Sequence, residues 1–213
     1  MNRIKVFTFF SESHRQLLDV FTKSFPYEDG VDLTVRFLPQ ECASANFESS
    51  GWNRTMERKI DYIIEYLQSM DDTDMMVHAD VDINFYRPFK GDLQSLMADY
   101  DILFQNDVVC LCMGFFIAKK TDKLVELMKQ VRGSIDRYGN DQYAMNALIK
   151  SAGLKYGILP DRYYTFGMNR IGVWNPGIND FSVPSDIVLH HANWTVGVEN
   201  KINLMNLVSS KVN

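Results

Sequence analysis

The sequence predicts an α/β fold: a central, mostly parallel mixed sheet flanked by helices in one domain. Three observations predict it. Short β-rich runs alternate with amphipathic helical periods over the first two thirds of the chain. The 213 residues are 46% apolar and 23% charged, which is material for a real core in a domain of ordinary size. No repeat, low-complexity tract or linker divides them, so a single domain over residues 1–213 is expected.

Each element follows from its own pattern. Ile4–Phe10 is β-rich and reads as the first strand. His14–Phe25 places Leu17, Leu18, Phe21 and Phe25 at helical spacing. Val31–Leu38 alternates Val31, Leu33, Val35 and Phe37, and Pro39 ends it. Cys42–Gly51 is small and polar, a surface loop. Asn53–Leu67 carries Met56, Ile60, Ile63, Ile64 and Leu67 on one helical face. Met75–Asp82 reads as a strand, Asp92–Met97 as a short helix, and Ile102–Gln105 and Cys112–Lys119 as strands. Thr121 caps a helix through Val131. Asp141–Ser151 is a further helix, in which Asp141, after Gly139-Asn140, suits an N-cap as well as it suits a site. Tyr156–Leu159 and Val188–His191 are short apolar strands, and Val198–Val208 is a returning helix.

Composition narrows the function. A net charge of −5 argues against a nucleic-acid partner, whose phosphates need a basic surface. Cys42, Cys110 and Cys112 are odd in number and too few for a disulfide framework, and Cys110 and Cys112, two apart on one strand face, read as core residues. Strand sequence starts almost at once, with no signal-peptide pattern and no membrane span, so a cytoplasmic protein is expected. The sequons at Asn53 and Asn193 then read as chance matches.

The most informative stretch is VHADVDINFYRPF, from Val77 to Phe89. Asp80 and Asp82 end an apolar run one residue apart. Two such carboxylates stay ionised cheaply only beside a cation, and a hard divalent ion could also bridge to substrate phosphates. The bland reading is a solvated turn. A second half comes from VLHHANWTVGVENK, Val188 to Lys201. A neutral imidazole suits Mn²⁺ better than Mg²⁺. Gly197 would let backbone approach a phosphate, and Lys201 would neutralise it. His190 and His191 have opposite strand parity, so only one faces such a site. His78 lies deeper in its strand and reads as a hydrogen-bonded core histidine.

These pieces resemble the GT-A nucleotide-sugar glycosyltransferases. The match runs through Asp80-Val-Asp82, Met113-Gly114-Phe115-Phe116, Asp141-Gln142, and His191-Ala-Asn-Trp194 with Gly197 and Lys201, in the family's order over about 120 residues. Along its length the chain is also similar to the N-terminal domain of chlorella-virus-encoded glycosyltransferases, which implies a piece of a longer polypeptide with further domains. The resemblance implies a GT-A domain whose nucleotide-binding part spans about 1–107 and whose acceptor and metal-closing part spans about 108–213. It implies Mn²⁺, with Mg²⁺ as the substitute, held by Asp82 and His191, and Asp80 on ribose and, through the metal, on the diphosphate. Gly197 and Lys201 would meet the diphosphate; Thr8, Phe9 and Phe10 would form the base and ribose pocket. His191 rather than His190 takes the ligand position. Lys59, on a face that solvation alone explains, would sit near the donor. Asp141 would face the sugar or the acceptor. The donor would be a UDP-sugar, such as UDP-glucose or a related hexose, and the acceptor a glycan or glycoprotein. Two other readings stand beside this one: a catalytically silent sugar-nucleotide-binding module, and a haloacid-dehalogenase-type phosphatase.

Overall fold

The structure is a computed structural model that describes residues 3–42 and 50–212. Most of the expected loop Cys42–Gly51 lies outside the described residues. Three nearly continuous apolar runs form the centre of a six-stranded sheet: β1 (Ile4–Phe10), β3 (Met75–Ala79) and β6 (Leu111–Lys119). β2 (Val31–Phe37) flanks β1, and β5 (Ile102–Asn106) and β7 (Tyr156–Ile158) continue beyond β6, in the order β2-β1-β3-β6-β5-β7. β1 pairs parallel with β2 and β3, and β5 with β7, while β6 runs antiparallel to both neighbours. The expected mixed sheet is therefore present.

Helices cover both faces, which is why the central strands are apolar throughout. On one face α2 (Trp52–Ser69), α4 (Asp122–Arg132), α5 (Ile135–Tyr138) and α6 (Asp141–Leu148) bury Ile60, Ile63, Leu127 and Met145 against Phe7, Met76 and Phe116. On the other, α1 (Arg15–Ser24), α3 (Lys90–Leu96) and α7 (Val198–Lys211) bury Leu17, Phe21, Leu93 and Leu204 against Val77 and Phe115. Each such side chain contributes about 1.5–3 kcal/mol by leaving water. Thr121 caps α4 as expected, accepting from the Leu124 amide at 3.1 Å. Among the described residues no helix is long and apolar enough to cross a membrane.

Three expectations need correction. The strand read as Met75–Asp82 stops at Ala79, and Asp80–Asp82 form a turn into a separate strand, β4 (Ile83–Phe85). β4 joins β9 (Leu189–His191) and β8 (Tyr163–Thr165) in a second sheet, ordered β4-β9-β8. β4 and β8 are masked by the turn-forming and polar residues beside them, whereas β7 and β9, equally short, read as isolated apolar runs. Lastly, Asn140 caps α6, its Oδ1 accepting from the Tyr143 amide at 2.8 Å. That leaves Asp141 as the first helical residue with its side chain buried.

Candidate active site

Backbone pairing places the metal-type donors. The turn after β3 feeds β4 directly, and β4 runs antiparallel to β9 with Ile83 opposite His191. The Ala192 amide donates to the Asp82 carbonyl at 3.0 Å, closing the same corner. His191 therefore lies beside Asp82 by register. Facing them is Gly114 on β6, whose carbonyl accepts from the Asp80 amide at 2.7 Å. A Cβ at Gly114 would fall 2.2 Å from His191 Cε1 and 2.7 Å from Asp80 Oδ2. Asp80, Asp82 and His191 offer ligand atoms that all lie within 4.8 Å of one another. Two carboxylates and an imidazole over a cradle that only glycine leaves open fit a divalent cation of the Mn²⁺ or Mg²⁺ kind.

Charge partners hold each donor. Asp80 Oδ1 lies 3.2 Å from Lys59 Nζ and 2.9 Å from His78 Nε2. Burial opposes its ionisation, yet the Lys59 ammonium and the His78 hydrogen bond outweigh this and hold its pKa down at about 2. His78 is wholly buried, and burial lowers its pKa, so the neutral ring donates to Asp80. Lys59 is only 3% exposed and also lies 3.3 Å from Asp141 Oδ2. Burial works against its charge too, but Asp80 and Asp141 raise its pKa above the usual lysine value. Asp82 meets the Lys201 ammonium and, at 3.3 Å, His191 Nε2. Against the cost of burial, Lys201 and His191 hold Asp82 well below the carboxylate range. Burial disfavours a charged His191, but Asp82 overcomes it and raises the imidazole to about 10.

These groups line a cavity of about 450 Å³ beyond the carboxyl ends of β1 and β3. Phe9, Phe10, Lys59, Asp80, Asp82, Asp141, His191, Gly197 and Lys201 all reach it. Thr8 does not. It lies two residues short of the strand end, and its side chain is buried in the core. His190 takes the opposite parity, packed 5.5 Å from the Tyr164 ring, and burial lowers its pKa to about 3. Cys110 and Cys112, read as core, both border the cavity; Cys112 is buried as expected, while Cys110 is only half-buried.

Several wall residues had no role assigned from sequence. Asp107 accepts from Gln142 Nε2 at 2.7 Å, Asn193 Nδ2 at 2.8 Å and Trp194 Nε1 at 2.6 Å, so Trp194 anchors its loop. Gln142 also accepts from the Met113 amide at 3.0 Å. Gly114 and Gln142 sit inside quoted motifs, and that was their only signal. Asp107 had none, because nothing local distinguishes a polar residue just past a strand end.

Residues 60–205, more than half of the chain, match the nucleotide-diphospho-sugar transferase family. No curated protein matches by sequence. Among solved structures, the chain is similar to the glycosyltransferase GlyE of Streptococcus pneumoniae TIGR4, with a TM-score of 0.60 and 11% identity over 90% of this chain. It spans 55% of that protein's length. The galactosyltransferase LgtC, solved with donor and acceptor sugar analogues, gives a TM-score of 0.58 and 12% identity over 98% of this chain and 96% of its own. A glycosyltransferase involved in glycosylating the major capsid of PBCV-1 gives 0.61 and 9% over 96% and 99%. At these identities the likeness establishes the GT-A fold.

Two predictions follow from the geometry. Gly114→Ala should abolish Mn²⁺ binding in calorimetry and cost about 1–3 kcal/mol of stability through overpacking. Gly91→Ala, where an added Cβ meets nothing within 4 Å, should change neither. Second, an ion taking His191 Nε2 must displace its proton. Affinity should therefore rise with pH throughout the range below about 10 and then level. Calorimetry in buffers of different ionisation enthalpy should show about one proton released per ion. Affinity independent of pH would contradict the pairing. Without metal the sign reverses: the raised pKa stabilises the fold below about 6.5, and that contribution is lost as pH rises through about 10.

Proposed function

The chain belongs to the nucleotide-diphospho-sugar transferase family, and from that premise we propose a metal-dependent glycosyltransferase that moves a hexose-type sugar from a UDP-sugar to a glycan hydroxyl. One observation carries the reading: Asp80, Asp82 and His191 converge within 4.8 Å, beside Lys201, on a cavity of about 450 Å³.

Transfer requires the diphosphate to leave as its charge grows. Asp82 and His191 would hold the ion, with Asp80 between it and the ribose. Bound there, the ion supplies positive charge to the leaving diphosphate. Lys201 adds an ammonium at the same edge. The first amides of α7, a 14-residue helix preceded by Gly197 at φ 88°, add a helix N-terminus to which phosphate is suited. Phe9 and Phe10 wall the cavity at the end of β1, where a base and ribose would rest. The imidazole favours Mn²⁺ over Mg²⁺. UDP-glucose or a related hexose donor fits this arrangement.

The acceptor must enter by the same cavity. Its wall carries exposed Val109, Tyr143, Val173 and Val196, apolar surface on which the less polar face of a glycan ring can rest. Asp141 lies deeper, ion-paired with Lys59, and is the proposed base or sugar-orienting group. Gln142, fixed by Met113 and Asp107, presents a rigid amide next to it.

Binding of UDP by calorimetry should require Mn²⁺ and vanish in excess chelator. Asp82→Ala should remove that metal-dependent affinity while the protein still folds. Undiminished UDP affinity without metal would sink the reading. Asp141→Asn should keep donor affinity and lose turnover, measured as UDP release from UDP-sugar with and without acceptor. The expected loss exceeds tenfold, about 1.4 kcal/mol of barrier. Because Asn140 is the cap, helix capping cannot account for such a loss. Full activity would take Asp141 out of the chemistry.

A further inference from the structure

We infer that Gln105 is a positioning residue that fixes the tautomer of His191, leaving Nε2 free to bind the cation. The inference rests on the metal reading above. Gln105 is wholly buried, at the point where the register of β5 against β6 shifts: Phe104 faces Phe116, but Gln105 faces Cys112. Bulges of this kind re-aim side chains beside sites.

The amide's orientation is decided by its partners. Its nitrogen donates to the main-chain oxygens of Tyr163 at 3.1 Å and Tyr164 at 3.0 Å. A carbonyl can only accept, so the NH₂ end must face them. Oε1 therefore faces His191 Nδ1, at 2.8 Å. That oxygen can also only accept, so Nδ1 carries a proton. The nearby Cys112 thiol, 3.8 Å from Nδ1, is a weak partner that itself accepts from the Gly114 amide at 3.3 Å.

The consequence falls on the opposite nitrogen. Nε2 faces Asp82 Oδ1 at 3.3 Å. In a neutral ring that carboxylate would draw the one proton onto Nε2, where it would block a cation. Gln105 opposes this by drawing the proton to Nδ1. Metal-bound histidines are oriented by such acceptors, and removing one costs 10–100-fold in affinity.

Two variants separate this role from packing. Q105L loses both bonds to the Tyr163 and Tyr164 carbonyls, and Q105E loses at least one of them, since a carboxyl has at most one proton to donate. Only Q105L loses the acceptor for Nδ1, because glutamate, ionised or protonated, keeps an oxygen there. Mn²⁺ alone is titrated into each protein by calorimetry, with melting temperatures measured in parallel. Q105L should bind 10–100-fold more weakly than wild type and Q105E within a few-fold of it, although both melt lower. Equal weakening in the two, or none in Q105L, overturns the inference and leaves the metal reading standing. Absence of Mn²⁺ binding to wild type overturns both. Should either variant fail to fold, the wild type answers by itself. A long-range proton–nitrogen correlation spectrum with Mg²⁺ bound should show His191 protonated at Nδ1 and bare at Nε2. The reverse pattern overturns the proposal.

Discussion

Two carboxylates one residue apart at the end of a buried strand repel each other, and much of the surrounding structure answers that repulsion. Each has its own cation. Lys59 reaches Asp80 from α2, and Lys201 reaches Asp82 from α7. His78 and His191 add a ring nitrogen to each. A buried carboxylate stripped of its partner would cost several kcal/mol. The four partners therefore tie α2, β3, β9 and α7 to one point, and the carboxylates stay ionised.

The second sheet makes this arrangement geometrically exact enough to be useful. It is small, three strands of three residues each, and its function is registration rather than bulk. Pairing Ile83 with His191 converts a separation of more than a hundred residues into a neighbouring position. The same sheet brings the Tyr163 and Tyr164 carbonyls to Gln105, so one element positions both His191 and the amide that meets its Nδ1. Gly114 completes the corner by having no side chain where the imidazole must sit.

What the sequence revealed follows the range over which each signal acts. Long periodic elements such as α2 and α4 were legible because many residues repeat one pattern. The carboxylate pair Asp80 and Asp82 was legible because its two members stand one residue apart; strand parity said only that one of His190 and His191 faces such a site, and the choice of His191 came from the family pattern. β4 and β8 were not legible, because turn-forming and polar neighbours mask them, while β7 and β9, no longer, stood out as isolated apolar runs. Asp141 was ambiguous because a helix start favours aspartate with or without a site, and only the Asn140 side chain resolved the cap. Thr8 was placed in the base and ribose pocket by the family resemblance, but two residues of depth from the strand end put its side chain in the core. Gln105 and Asp107 owe their roles to partners 35 to 87 residues away in sequence, which no local pattern encodes.

The central claim is that the two halves of the chain close on one metal ion, with His191 from the second half completing a site begun by Asp80 and Asp82. Pulsed electron paramagnetic resonance of Mn²⁺ bound with UDP tests it most directly. The account expects the coupling of one directly bound imidazole nitrogen, together with phosphorus couplings from the diphosphate, and expects the nitrogen coupling to vanish in His191→Ala. Phosphorus coupling without nitrogen, or a nitrogen signal that survives in His191→Ala, would contradict it.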